Sequence, residues 1–189
     1  WKNRKLLEPG TTFEYNDVRV NLLAYSLLNV WRKPLPSVLK EKIMDPIGAS
    51  TTWRWYGYDN SFVNMDGIMV QSVSGGGHHG GGMFISTMDQ ARFGLLFLRN
   101  GKWKNQQLLS AKWIADAQRS SIPNKEYGYM WWINTKRWPG VSPTVYFAAG
   151  FGGNYIIIDQ AHDLVIVTRW MDDSKMGEFM KLIVQAAEK

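Results

Sequence analysis

Tyr15 is the first side chain in this sequence placed to move a proton. It stands in the run Glu8-Pro-Gly-Thr-Thr-Phe-Glu-Tyr-Asn-Asp17, directly before an apolar stretch with helical spacing. A phenol titrates near ~10, so it can act as a base at neutral pH only beside positive charge that favours the phenolate. Without that neighbour, Tyr15 reads as an ordinary tyrosine hydrogen-bonded at a helix start. Asp17 follows two residues on. When ionised it accepts hydrogen bonds and donates none, and it reads equally as a site member or as a helix cap.

Three other stretches hold candidate residues. Ala148-Ala-Gly-Phe-Gly-Gly-Asn-Tyr155 has glycines at 150, 152 and 153, which let a ligand lie close to the backbone. The other reading is a glycine-rich bulge in an edge strand. Trp53-Arg-Trp-Tyr-Gly-Tyr58 offers aromatic contact area, and Arg54 could hold a carboxylate. The same residues could equally be loop packing. His78 and His79 lie in Gly75-Gly-Gly-His-His-Gly-Gly-Gly82. Neighbouring histidines in extended chain point to opposite sides and no nearby carboxylate completes a ligand set, so one histidine touching substrate is favoured over a metal site. The glycines lack the Gly-Lys-Ser/Thr of a phosphate-binding loop. No metal and no cofactor is expected.

Four landmarks occur in one order, and together they resemble the serine β-lactamase/penicillin-binding-protein-like superfamily, in particular its class C β-lactamase and esterase branch. Pro9-Gly-Thr-Thr-Phe-Glu-Tyr-Asn-Asp17 is similar to that branch's tyrosine motif, with Asp17 where asparagine is usual. Asp45-Pro-Ile-Gly48 resembles its helix stop. Gly80-Gly-Gly-Met-Phe-Ile-Ser-Thr-Met-Asp-Gln-Ala-Arg-Phe93 resembles its Gly-Gly-x-x-Ser-Thr-x-x-Asp-x-Ala-Arg-Phe run. Ala148 to Tyr155 resembles the strand that reads Gly-x-Gly-Gly-Gln in esterases and carries Lys-Thr-Gly in lactamases. The resemblance implies a proton-transfer role for Tyr15 and an oxyanion-binding backbone N–H at Phe151, next to Gly150. Ala148 stands where lactamases have lysine. This favours ester, amide or related acyl substrates over β-lactams.

The superfamily's nucleophile lies in Ser-x-x-Lys, upstream of the tyrosine motif. Ser37-Val-Leu-Lys40 has that spelling but follows Tyr15 and opens an ordinary surface helix after Pro34 and Pro36, so it reads as a chance match. The 189 residues therefore read as the C-terminal portion of a hydrolase domain. Its serine would come from a missing N-terminal segment, the expected partner along with a small-molecule acyl substrate. A non-catalytic binding module of the same fold, or an aromatic-rich carbohydrate-binding domain, are the alternatives. By resemblance a periplasmic or secreted setting is slightly favoured.

Composition agrees with a globular domain. Hydrophobic residues make up 45%, which is ordinary. No run approaches the ~18 apolar residues of a membrane span. Net charge is +6, but Lys and Arg are scattered, which argues against a nucleic-acid footprint. The chain has no cysteine, hence no disulfide.

The elements that must position these residues read as α+β: an antiparallel sheet with flanking helices, plus a helical region. Residues 16–120 form the helical and loop portion, and 127–188 the sheet and closing helix. Residues 18–31 show an apolar face of Val20, Leu23, Leu27 and Trp31, widened by Leu22, Leu28 and Val30, with Asn16 or Asp17 as cap. A second helix opens near Pro36 and stops at Asp45-Pro46. Residues 48–82 read as irregular. Thr87-Met-Asp-Gln90 is a capping-box pattern. Ser110 begins a short helix. Residues 127–133, 144–149, 154–158 and 164–170 read as strands with short joins, hence antiparallel. A last helix starts at Ser174. Without the upstream strands and serine-bearing helix implied by the resemblance, one sheet edge is expected to be unpaired and the inner faces of helix 18–31 and of the strands to lose cover.

Overall fold

The computed structural model describes residues 7–75 and 82–189. The chain divides into two compact units, Glu14–Asp89 and Trp1–Phe13 with Gln90–Lys189. The fold is α+β, as the periodicity implied.

In the 14–89 unit, α1 runs Asp17–Trp31. Asn16 is its cap: Oδ1 accepts the Arg19 N–H at 3.2 Å. Asp17 is thus the first helical residue, not the cap. Arg32 ends the helix in the left-handed region, at φ 49°. α2 spans Leu35–Leu39 and widens into a π-helical turn over Lys40–Met44, closed by Asp45 N–H on the Lys40 carbonyl at 2.9 Å.

Residues 48–82 are not irregular throughout. β1 (Arg54–Tyr56) pairs antiparallel with β4 (Gly82–Phe84), and β2 (Phe62–Met65) with β3 (Ile68–Gln71). Asp66 and Gly67 turn the β2–β3 hairpin with φ of 54° and 86°, the left-handed geometry a two-residue hairpin turn demands.

The core of this unit is Ala24 and Leu28 of α1 with Leu35, Met65 and Val73, flanked by Trp55, Val63 and Val70. Of the apolar residues read on this helix, Leu28 is buried and Val20 half-buried. Leu22, Leu23, Leu27, Val30 and Trp31 are all exposed.

In the other unit, one four-stranded antiparallel sheet runs in the order β10-β9-β8-β7. Its strands are β7 (Trp132–Ile133), β8 (Tyr146–Gly150), β9 (Asn154–Asp159) and β10 (Leu164–Thr168). Alternation sends successive residues to opposite faces. Phe147, Tyr155 and Ile157 meet Met176, Met180 and Val184 of α5 (Met176–Ala187). Tyr146 and Ile158 meet Phe97 and Leu98 of α3 (Thr87–Leu98) and Ile114 and Ala117 of α4 (Ala111–Ala117). The sheet is therefore covered on both faces by helices that the 3.6-residue period implied. A small hairpin, β5 (Lys102–Trp103) and β6 (Gln106–Gln107), joins α3 to α4.

Caps fix two of these helices. Ser110 Oγ accepts the Trp113 N–H at 3.1 Å, as expected. At α3 the cap is Ser86, whose Oγ accepts the Asp89 N–H at 3.1 Å, one residue before the expected Thr87.

Candidate active site

Tyr15 lies between the Pro9–Gly10 turn and α1 with 53% of its surface exposed. Its phenol is pushed above the ordinary value, first by partial burial and then by the Asp17 carboxylate. Asp17 thus opposes phenolate formation, and a cation would have to overcome it before Tyr15 could serve as a base.

The Lys40 ammonium binds both carboxylate oxygens of Asp45, at 2.7 and 2.6 Å. It is committed to that ion pair, which agrees with reading Ser37-Val-Leu-Lys40 as a chance match.

The aromatic segment is built into its unit. Trp55 faces the core, and its indole N–H donates to the Ser74 carbonyl at 2.8 Å. Arg54 Nη1 donates to the Thr51 and Trp53 carbonyls at 2.7 and 2.8 Å, so that nitrogen is used in holding the local turn. Trp53 is half-buried, and Tyr56 lies edge-on to Phe84 at 5.8 Å. Packing therefore accounts for Trp55, whereas Tyr56 presents surface.

Two polar groups that the sequence did not mark organise this region. Asp89 is fully buried, and its carboxylate accepts the Ser50 N–H at 2.9 Å and the Ser50 hydroxyl at 2.6 Å. It fixes the chain just ahead of Trp53. Asn21 interrupts the apolar side of α1. Its Oδ1 accepts the Gly75 N–H at 2.9 Å and the Ser74 hydroxyl at 3.3 Å. A polar residue between the apolar Val20 and Leu22 and one turn before Ala24 was the available signal. His78 and His79 lie outside the described residues.

Gly150 and Phe151 belong to the other unit. Gly150 closes β8 opposite Asn154, and Phe151 opens the turn into β9. β8 is not an edge strand, but β7 pairs only with its Tyr146 and Phe147. The Asn154 amide donates to the Phe151 carbonyl at 2.7 Å, while its oxygen accepts from Arg169 Nε at 2.9 Å. The Gly153 carbonyl accepts the Thr168 hydroxyl at 3.1 Å and the Met171 N–H at 3.2 Å. Gly153 has φ +71°, and a Cβ there would lie 1.7 Å from the Met171 oxygen, so the turn admits only glycine at this position. Ala148 turns its methyl into the sheet–helix core, so no cation stands at that point of β8.

His162 closes the β9–β10 turn. Its Nδ1 lies 2.7 Å from Oδ2 of the buried Asp159, and that hydrogen bond raises the imidazole pKa. Among the described residues, no group of three or more His, Asp or Glu side chains converges as a metal site. Among them, no helix is long and apolar enough to cross a membrane.

Helices on both faces of an antiparallel sheet, together with a second unit opened by α1, are the α+β architecture that the resemblance implied. The family model described as Beta-lactamase matches residues 2–179, and the chain belongs to that family, within the serine β-lactamase/penicillin-binding-protein-like superfamily. Among solved structures, a Bacillus anthracis protein provisionally described as a 6-aminohexanoate-dimer hydrolase is 21% identical with a TM-score of 0.71, over 98% of this chain and 46% of that one. A β-lactamase from Mycobacterium bovis is 20% identical with a TM-score of 0.71, over 97% of this chain and 67% of that one. A protein from Bacteroides dorei, provisionally described as a β-lactamase, is 16% identical with a TM-score of 0.70, over 98% of this chain and 61% of that one. This chain thus spans about half to two thirds of the length of these structures. No curated protein matches it in sequence.

Proposed function

We propose that this chain is part of a serine hydrolase that cleaves an ester, amide or related acyl bond through an acyl-enzyme, with the nucleophilic serine supplied from outside these residues. The observation that carries the reading is the glycine turn at the end of β8, where Asn154 and Thr168 hold the backbone around Phe151. Attack on an acyl carbon places negative charge on the former carbonyl oxygen. A pre-aimed N–H stabilises that charge, and losing one such donor costs ~3 kcal/mol of barrier. The Phe151 N–H takes this role, with the serine's own N–H as the second donor.

Tyr15 takes the serine proton and returns it to the leaving group. Its raised phenol means the companion lysine of Ser-x-x-Lys must supply the compensating charge. Asp17 in place of asparagine offers that lysine a carboxylate and removes an amide donor from the substrate side. With Ala148 in place of lysine, nothing at that position pairs with a β-lactam carboxylate. Simple esters and amides are therefore preferred to β-lactams.

Hydrolysis of 4-nitrophenyl esters and of a chromogenic cephalosporin by the full-length protein tests this. Ester turnover that falls ~100-fold or more in Tyr15→Phe supports it. Cephalosporin turnover with inert esters contradicts it.

One observation favours a second reading, a non-catalytic β-lactamase-like binding module. Partial burial, and then the Asp17 carboxylate beside it, disfavour the Tyr15 phenolate that catalysis needs. That reading predicts substrate binding without turnover.

A further inference from the structure

Two large aromatic rings beside the Phe151 turn take no part in either core of their unit. Phe151 is 99% exposed and Trp170 is 74% exposed. Trp170 has φ 56°, a left-handed conformation that a bulky L-residue adopts only when its surroundings impose it. Those surroundings are identifiable. On one side the Thr168 hydroxyl donates to the Gly153 carbonyl, and Arg169 Nε donates to Asn154. On the other, the Met171 N–H donates to the same Gly153 carbonyl. The residues before and after Trp170 are tied to the turn, and the indole between them is turned outward.

The ring lies over Gly152. A Cβ there would come within 2.6 Å of Trp170 Cζ3 and 2.8 Å of Cε3. Gly152 is also left-handed, at φ +76°, so its lack of a side chain serves both the turn and the approach of the indole. The result is a bare backbone strip with Phe151 at one end and the Trp170 face against its middle.

We infer that Phe151 and Trp170 form an aromatic subsite for a planar or apolar group attached to the scissile carbonyl. The inference rests on the reading of the Phe151 N–H as the oxyanion donor, since that fixes where the carbonyl sits. Two rings held by the backbone offer large contact area with few rotatable bonds to freeze. Two side chains fall far short of the ~800 Å² per partner of a stable protein interface, so a small ligand is the better occupant. The group belongs either to the acyl part or to the leaving alcohol or amine.

The test uses the full-length protein and two pairs of esters: 4-nitrophenyl phenylacetate against 4-nitrophenyl acetate, and benzyl acetate against methyl acetate. The subsite predicts that Trp170→Ala lowers the aromatic-to-small ratio of kcat/KM about tenfold or more in one pair, and that Trp170→Phe keeps most of it. The pair that responds identifies the acyl or the leaving side. Ratios within twofold of wild type in both pairs overturn the subsite while leaving the hydrolase reading intact. If the wild type cleaves none of the four, the hydrolase reading fails for esters. The subsite is then judged by NMR titration with phenylacetate and with benzyl alcohol: affinity lost in Trp170→Ala supports it, and unchanged affinity overturns it.

Discussion

Asn154 donates its side-chain amide to the Phe151 carbonyl at 2.7 Å, which makes a β9 side chain the clamp of the turn that ends β8. Its oxygen is held in turn by Arg169, so the amide cannot flip without losing both bonds. Asn154→Ala should loosen the Phe151 N–H without removing it. The expected loss is about 10–100-fold in kcat, less than for deleting an oxyanion donor, with KM nearly unchanged. A rise in KM at constant kcat would instead make Asn154 a ground-state binding residue. Steady-state kinetics with one good ester separates the two.

Asp89 is buried with both carboxylate oxygens engaged by Ser50. Asp89→Ala removes the acceptor of the Ser50 N–H and leaves the Ser50 hydroxyl only its 2.7 Å contact with the Thr52 hydroxyl. About 2–3 kcal/mol of stability should be lost, measured by urea denaturation. A change below ~0.5 kcal/mol would mean that water replaces the carboxylate at no net cost.

His162 carries a pH signature. Its hydrogen bond to Asp159 raises the folded-state pKa above the unfolded value. The protonated form is thus favoured by folding. Its stabilisation is complete below the ordinary ~6.5 and is lost as pH rises through the raised value. Stability should therefore decline as pH rises from the ordinary histidine range through the raised value, and His162→Gln should flatten that slope. Thermal melts of the pair across this range check the sign, and a parallel decline in both proteins would assign it elsewhere.

α1 presents Leu22, Leu23, Leu27, Val30 and Trp31 to solvent. Large apolar surfaces recruit other chains. The 189-residue chain made alone should elute above monomer size or aggregate, and Leu22→Glu with Val30→Glu should reduce that association. A cooperative, monodisperse monomer would show that α1 needs no cover.

Much of this architecture was legible in the sequence. Strands expected at 144–149, 154–158 and 164–170 fall at Tyr146–Gly150, Asn154–Asp159 and Leu164–Thr168. Their two-sided burial gave strong apolar runs with short turns between them. The 127–133 strand shrank to Trp132–Ile133 because Met130 adopts φ 66° and breaks the extension. β2 and β3 were missed although Asp66-Gly67 between them is a hairpin signal. Short, largely exposed strands lack the alternation that marks a half-buried one. On α1 only Leu28 of the expected leucines is buried, because periodicity reports apolar residues and not which of them are covered. The turn after β8 was readable from the glycines at 150, 152 and 153, whereas the role proposed for Tyr15 came from the family resemblance. Asp89, Asn154 and Trp170 were not readable, since their roles arise from contacts and backbone angles that no local pattern encodes.

The central claim is that the nucleophile is a serine outside these residues and that Tyr15 serves it. The most direct measurement is labelling of the full-length protein with a fluorophosphonate probe, with the modified residue mapped by mass spectrometry. The account predicts one labelled serine, in a Ser-x-x-Lys sequence upstream of Tyr15, with labelling slowed in Tyr15→Phe. Stoichiometric labelling at Ser37, or equal labelling rates with and without the Tyr15 hydroxyl, would contradict it.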